Sequence, residues 1–143
     1  MSLFGALSVS ASGMDAQRTR AELIAENLAN AETTRTPGGG AYRRKDAVFS
    51  SAPVAAPFGS EFQSALQGVG VRVAGVAVDQ RDPEKRFLPG HPDADKDGYV
   101  SYPNGSPAED MADLMNASRG YQSNVAAVTA VKDMIQRSLD LLK

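Results

Sequence analysis

Three aspartates at alternate positions, Asp93, Asp95 and Asp97, run into Gly98. This is how a calcium loop opens: alternate carboxylates converge on one cation, and the sixth-position glycine makes the sharp turn. The twelfth position, however, is Asn104 in place of a bidentate Glu, and Pro103 precedes it. His91 and Pro92 stand where an entering helix belongs. The strongest ligand is therefore missing. The competing reading is an Asp/Gly turn between two strands, with the carboxylates accepting from nearby backbone N–H groups. A small calcium-binding module using Asp93, Asp95 and Asp97 is kept as the alternative to the function reached below.

The other chemically capable residues predict no enzyme. His91 is the single histidine and lies between Gly90 and Pro92, in turn composition, with no partner in the sequence to make it an acid or base. No Gly-x-Ser-x-Gly elbow is present. Gly38-Gly39-Gly40 lacks the Lys-Ser/Thr of a phosphate loop and reads as a flexible helix exit. With no Cys, disulfides, thiolate nucleophiles and Cys-based zinc sites are excluded. The expectation is no catalytic residue, no cofactor and no resident metal.

Bulk charge excludes little else. Net charge is −2, from 15 basic and 17 acidic residues, so no nucleic-acid partner is expected. Arg43-Arg44-Lys45 is a short basic cluster without interleaved aromatics and reads as a solvated face. Glu109, Asp110 and Asp113 read as first-turn acids favoured by a helix dipole. No stretch approaches a membrane span. The first residues lack a basic n-region, and their apolar run is broken by Ser, so no cleavable signal peptide is expected.

The elements that position these residues divide sharply. All eight prolines and ten of the 13 glycines lie between residues 37 and 107, which forbids long helices there. On either side the apolar residues recur in sevens. Leu7, Met14, Ala21 and Leu28 mark a helix over residues 2 to about 31, widened by Leu3, Ala11, Ile24 and Ala25. Its many small residues permit close backbone approach. Leu114, Tyr121, Val128, Ile135 and Leu142 mark a second helix, with Met111, Ser118, Val125, Lys132 and Leu139 as the other seam position. Ser106 is its expected N-cap, with Pro107 at the first helical position. Such a helix is ~50 Å long at 1.5 Å per residue.

The predicted fold is mainly α. Long N- and C-terminal helices, residues 1–34 and 107–143, form a coiled-coil-like pair around a small β-rich middle segment, residues 35–106. Strands are expected at Tyr42 to Phe49, across Val69 to Val78, at Arg86 to Leu88 and at Tyr99 to Tyr102. The valines switch parity at Ala74-Gly75, where a bulge would restore one face. Phe58, Phe62 and Leu66 suggest a short helix at residues 60–67. A lone helix pair leaves apolar surface uncovered, so further copies of related chains are expected to complete a bundle. Isolated subunits are then expected to be partly disordered at both ends.

Several stretches together resemble one family. Ile24-Ala-Glu-Asn-Leu-Ala-Asn-Ala-Glu-Thr-Thr34 resembles the N-terminal signature of the bacterial flagellar rod and hook axial proteins. Thr36 to Lys45, Pro89 to Asp95 leading to Gly98 to Asn104, and Met115 to Asn124 narrow the resemblance to the proximal rod subunits. Gly105-Ser106-Pro107 and Gly120 depart from the expected pattern. The resemblance implies a structural subunit of the basal-body rod, exported uncleaved through the flagellar type III apparatus and polymerised in the periplasm. Its partners would be copies of itself and other rod proteins, joined through the terminal helices. Asn27, Leu28, Asn30, Arg119, Tyr121, Gln122 and Asn124 match motif positions and are carried over as assembly residues. Leu7, Met14, Leu114, Val128, Ile135 and Leu142 join them from the helix stripes.

Overall fold

The computed structural model describes residues 3–53 and 69–141. The expected short helix at 60–67 and Leu142 lie outside the described residues. The order is α1 (Leu3–Ala29), β1 (Lys45–Pro53), β2 (Val69–Val78), β3 (Glu84–Phe87), β4 (Tyr99–Tyr102) and α2 (Pro107–Asp140). Two long helices thus flank two small antiparallel sheets, β1-β2 and β3-β4.

The helices pack antiparallel through small residues. Gly13 of α1 receives the Asn124 amide, and Gly120 of α2 receives the Gln17 side chain. A Cβ on Gly13 would lie 2.9 Å from Asn124 Nδ2, and one on Gly120 would lie 3.1 Å from Gln17 Cδ. Each glycine therefore seats an amide from the opposite helix. Gly120, expected to depart from the pattern, serves here as a packing position. Ala16 and Ile24 on α1, with Ala117 and Val131 on α2, are buried around these seats.

Half of the expected α2 seam moves. Leu114, Val128 and Ile135 are half-buried, but Met111, Ser118, Val125, Lys132 and Leu139 are all exposed within the chain. Their place is taken by the preceding heptad position: Asp110, Ala117, Asn124 and Val131. Close approach suits the small Ala117, which is buried where its neighbour Ser118 is exposed. The displaced Met111, Val125 and Leu139, with Met115 beside them, form a second, exposed apolar stripe flanking the packed one.

The β1-β2 ribbon lies against α1. Its register skips one residue: Val48 pairs with Gly75 and Phe49 with Val73, leaving Ala74 as the bulge. Val69, Val71, Val73, Val76 and Val78 then share one face, as the parity switch implied. Only part of that face is covered. Val71 and Val73 are half-buried, whereas Val69, Val76 and Val78 are exposed. The Val71 N–H donates to Ser12 Oγ at 3.1 Å, tying the ribbon to α1.

Substituting Gly13 by Val should cost ~1–3 kcal/mol, because the added atoms meet the Asn124 seat. Gly75→Ala, which meets nothing within 4 Å, should be near neutral. Urea unfolding followed by circular dichroism checks both.

Candidate functional site

Where α1 ends, one amide organises the exit of the chain. Asn27 is 3 % exposed. Its Nδ2 donates to the Lys45 carbonyl at 2.9 Å. Its Oδ1 accepts from the Lys45 N–H at 2.9 Å and from the Tyr42 hydroxyl at 3.0 Å. The side chain thus pairs with both backbone groups of Lys45 as a neighbouring strand would, and β1 begins there instead of at Tyr42. Asn30 continues the exit, with Nδ2 donating to the Glu26 carbonyl and Oδ1 accepting from Thr33 Oγ1. The glycine run is no loose linker. The Thr36 N–H donates to the Gly40 carbonyl at 2.9 Å, and the Gly39 N–H donates to the Thr36 carbonyl. Gly39 and Gly40 hold positive φ angles of 84° and 76° that other residues resist.

Tyr42 is buried beside this amide, and the Lys45 ammonium, paired with Glu26, lies 5.8 Å from its ring centroid. Burial first, then the Glu26 carboxylate, pushes the Tyr42 phenol up to about 12.

The basic cluster is not a solvated face. Only the Arg43 guanidinium is exposed, donating to the Asp79 carbonyl at 3.0 Å. The Arg44 side chain is 14 % exposed and lies 2.6 Å from Asp110 Oδ1, itself on a nearly buried side chain. The approach is off the N–H axis, so charge attraction carries the pair. Burial pushes the Asp110 carboxyl up, with Arg44 opposing and the carboxylates of Asp113, Asp46 and Glu109 reinforcing. Gly105 makes room for this contact. Its φ is 123°, and a Cβ there would lie 2.8 Å from Arg44 Nη1. The pair joins the first turn of α2 to the start of β1. Ser106 holds the N-cap position through its carbonyl, which accepts from the Asp110 N–H, but its hydroxyl caps nothing.

The aspartate loop turns inward on protein partners. Asp95 Oδ1 accepts from the N–H groups of Asp97 and Tyr99 at 2.9 and 2.8 Å. Asp93 Oδ2 accepts from Thr34 Oγ1 at 2.7 Å. His91 Nδ1 accepts from the Asp93 N–H. Gly98, at φ 82°, packs under Phe87 and Pro89. Among the described residues, no group of three His, Cys, Asp or Glu side chains could hold a metal ion. The loop is the Asp/Gly turn linking β3 to β4.

The expected interface residues separate into three environments. Asn27 is buried in the junction; Leu7, Met14, Leu28, Asn30, Leu114, Asn124, Val128 and Ile135 are half-buried; Arg119, Tyr121 and Gln122 are exposed on α2. Sequence reading missed Arg44 and Asp110, whose charges signal surface, and Gln17, which carries no apolar signal. Beside them α2 presents Met111 (55 % exposed), Met115 (57 %) and Val125 (40 %), uncovered by the described residues.

Comparisons with known proteins match both helical ends of the chain. Residues 7–35 match the family model described as flagella basal body rod protein. Residues 96–141 match that of the flagellar basal body rod FlgEFG protein C-terminal region. Over its whole length the chain is 37 % identical to the flagellar basal-body rod protein FlgC of Borreliella burgdorferi, covering 99 % of that protein. It is 36 % identical to FlgC of Bacillus subtilis, with both chains fully covered. It is 37 % identical to FlgC of Escherichia coli, over 99 % of this chain and 98 % of the other. The chain belongs to the FlgC family of flagellar basal-body rod proteins. The N-terminal family match covers α1 from Leu7 onward and its Asn27–Asn30 exit, and the C-terminal match spans β4 and α2.

Two outcomes follow from the junction. Because the folded Tyr42 phenol lies above its usual value of 10, its contribution is fully present below pH 10 and is lost as pH rises through about 12. Absorbance at 295 nm should show one of the four tyrosines ionising late, and Tyr42→Phe should remove that step. Asp110→Ala should cost ~3–5 kcal/mol by leaving Arg44 buried without its partner. The double change Arg44→Met with Asp110→Leu should cost less than Asp110→Ala alone, measured by urea unfolding.

Proposed function

We propose that this FlgC-family chain is a structural subunit of the flagellar basal-body rod and assembles through its terminal helices. On this reading residues 1–34 and 107–143 form one inner-tube domain as a coiled-coil-like pair, and residues 35–106 lie outside it. Its partners are further copies of itself and other rod proteins. The subunit leaves the cytoplasm through the flagellar type III export apparatus without a cleaved signal peptide and polymerises in the periplasm. No catalytic step or cofactor enters this role.

The observation that carries the reading is the second apolar stripe on α2. Met111, Met115, Val125 and Leu139 are all at least 40 % exposed, on a helix whose other stripe already packs on α1. Patches of this kind mark protein contacts. No described helix is long and apolar enough to cross a membrane, so this stripe does not belong to a transmembrane helix. Arg119 and Gln122 are exposed on the same helix and supply polar contacts at assembly. Asn27, Asn30 and Asn124 act from inside, fixing the geometry in which Leu7, Met14, Leu28, Leu114, Val128, Ile135 and Leu142 meet neighbouring helices.

Val125→Asp places a charge on the open stripe while leaving the contact with α1 intact. In a flagellated strain whose own rod subunit is replaced by this chain, the variant should abolish swimming and leave no intact rods. Its far-ultraviolet dichroism should match the parent. Normal swimming by a stably produced variant would remove the stripe from the interface.

A further inference from the structure

The link between β4 and α2 holds the chain's single Asn-Gly pair, Asn104–Gly105. The other four asparagines precede Leu28, Ala31, Ala117 and Val125. Asparagine is chemically labile, because the backbone nitrogen of the next residue can close a five-membered ring on the side-chain carbonyl carbon. In a folded chain that closure is restrained by a side chain on the next residue, by a hydrogen bond that holds its N–H, and by burial. All three restraints are missing at Gly105. It has no Cβ, it is exposed, and its N–H reaches no acceptor among the described residues. Asn104 is half-buried, and its Nδ2 donates to the Asp82 carbonyl at 2.8 Å. The carboxamide is therefore held through its nitrogen only.

The chain supplies its own contrast. Asp97–Gly98 is the related Asp-Gly pair, but the Gly98 N–H donates to the Asp95 carbonyl at 3.0 Å, and Phe87 packs over the glycine. That backbone nitrogen is engaged, and an ionised carboxylate is a poorer electrophile than a carboxamide.

We propose that Asn104–Gly105 is a self-modifying site, converting through a cyclic imide to aspartate and isoaspartate. The Gly105 nitrogen bonds to Asn104 Cγ and gives its proton to solvent. The Cγ–Nδ2 bond breaks, and the nitrogen takes up a proton and leaves as ammonia. Water then opens the imide. Opening at Cγ gives aspartate; opening at the backbone carbonyl gives isoaspartate, which routes the main chain through the side-chain carbon. Nothing is oxidised or reduced. The position gives the product its effect. Asn104 lines a cavity of about 120 Å³ together with Arg43, Arg44 and Arg81. Conversion exchanges the donor to the Asp82 carbonyl for a carboxylate among these guanidiniums. The Arg44–Asp110 pair that joins β1 to α2 thereby gains a competitor for Arg44.

The test incubates the folded full chain in mildly alkaline buffer and digests it at acid pH, where the conversion is slow. Peptide mass spectrometry reads amide-to-acid conversion, and labelling by an isoaspartate methyltransferase reads isoaspartate. Asn104 should convert to both products while Asn27, Asn30, Asn116 and Asn124 stay intact and Asp97 carries no label. Asn104→Gln keeps a carboxamide but would have to close a six-membered ring, so it should lose the label. An intact Asn104 in the folded chain overturns the proposal, and conversion confined to urea-unfolded chain would show that the fold protects the bond. Label at Asp97 equal to that at Asn104 also overturns it, since the engaged N–H of Gly98 would then make no difference. Label that persists in Asn104→Gln would place the reaction elsewhere and overturn it as well.

Discussion

Two helices can bury only the stripe at which they touch, and everything else in this molecule follows from that geometric limit. Gly13, Ala16, Ala117 and Gly120 bring α1 and α2 close, and the interhelical contact is made by small residues and two seated amides. A contact of that kind covers little apolar area at ~25 cal/mol per Å². The larger side chains, Met111, Met115, Tyr121 and Val125, fall outside it. The helices therefore meet through small residues and leave these larger apolar side chains exposed. That division is the reverse of an enzyme domain, where the largest apolar side chains fill the core.

Besides the Val71–Ser12 bond, two polar contacts attach the start of the middle segment to this pair. Asn27 replaces a missing strand neighbour for Lys45, and Arg44 reaches across Gly105 to Asp110 at the start of α2. The two attachments lie on adjacent residues, so the orientation of β1 is set against both helices at once. Buried amides and buried ion pairs add modest net stability but penalise alternative arrangements, because a displaced partner is left unpaired.

The element boundaries were largely legible because they depend on local chemistry. The prolines and glycines confined the strands, Pro107 opened α2, and the valine parity switch located the bulge at Ala74. The Asp93–Gly98 run read correctly as a turn once Asn104 was seen at the twelfth position. The α2 seam was legible by half. Periodicity finds Leu114 and its heptad mates, but it cannot decide between Ala117 and Ser118, or see that Met111 stays exposed in the single chain. Hydrophobicity reports that a residue prefers to be buried and does not report by what. Arg44 and Asp110 were hidden for the opposite reason, since two charges predict solvent until a fold brings them together over 66 positions of sequence. Gly120 read as a flaw because its purpose, a seat for Gln17, lies on the other helix.

The central claim is that the open stripe of α2 is covered only by assembly, and methionine oxidation reads this directly. Met111, Met115 and Met134 are 55 %, 57 % and 48 % exposed in the single chain, whereas Met14 is half-buried on α1. Brief peroxide treatment followed by peptide mass spectrometry compares soluble subunit with purified basal bodies, since oxidation follows exposure. The account predicts rapid sulfoxide formation at Met111 and Met115 in the soluble subunit and strong protection of both in the rod. Equal oxidation of Met111 and Met115 in the two states would contradict it.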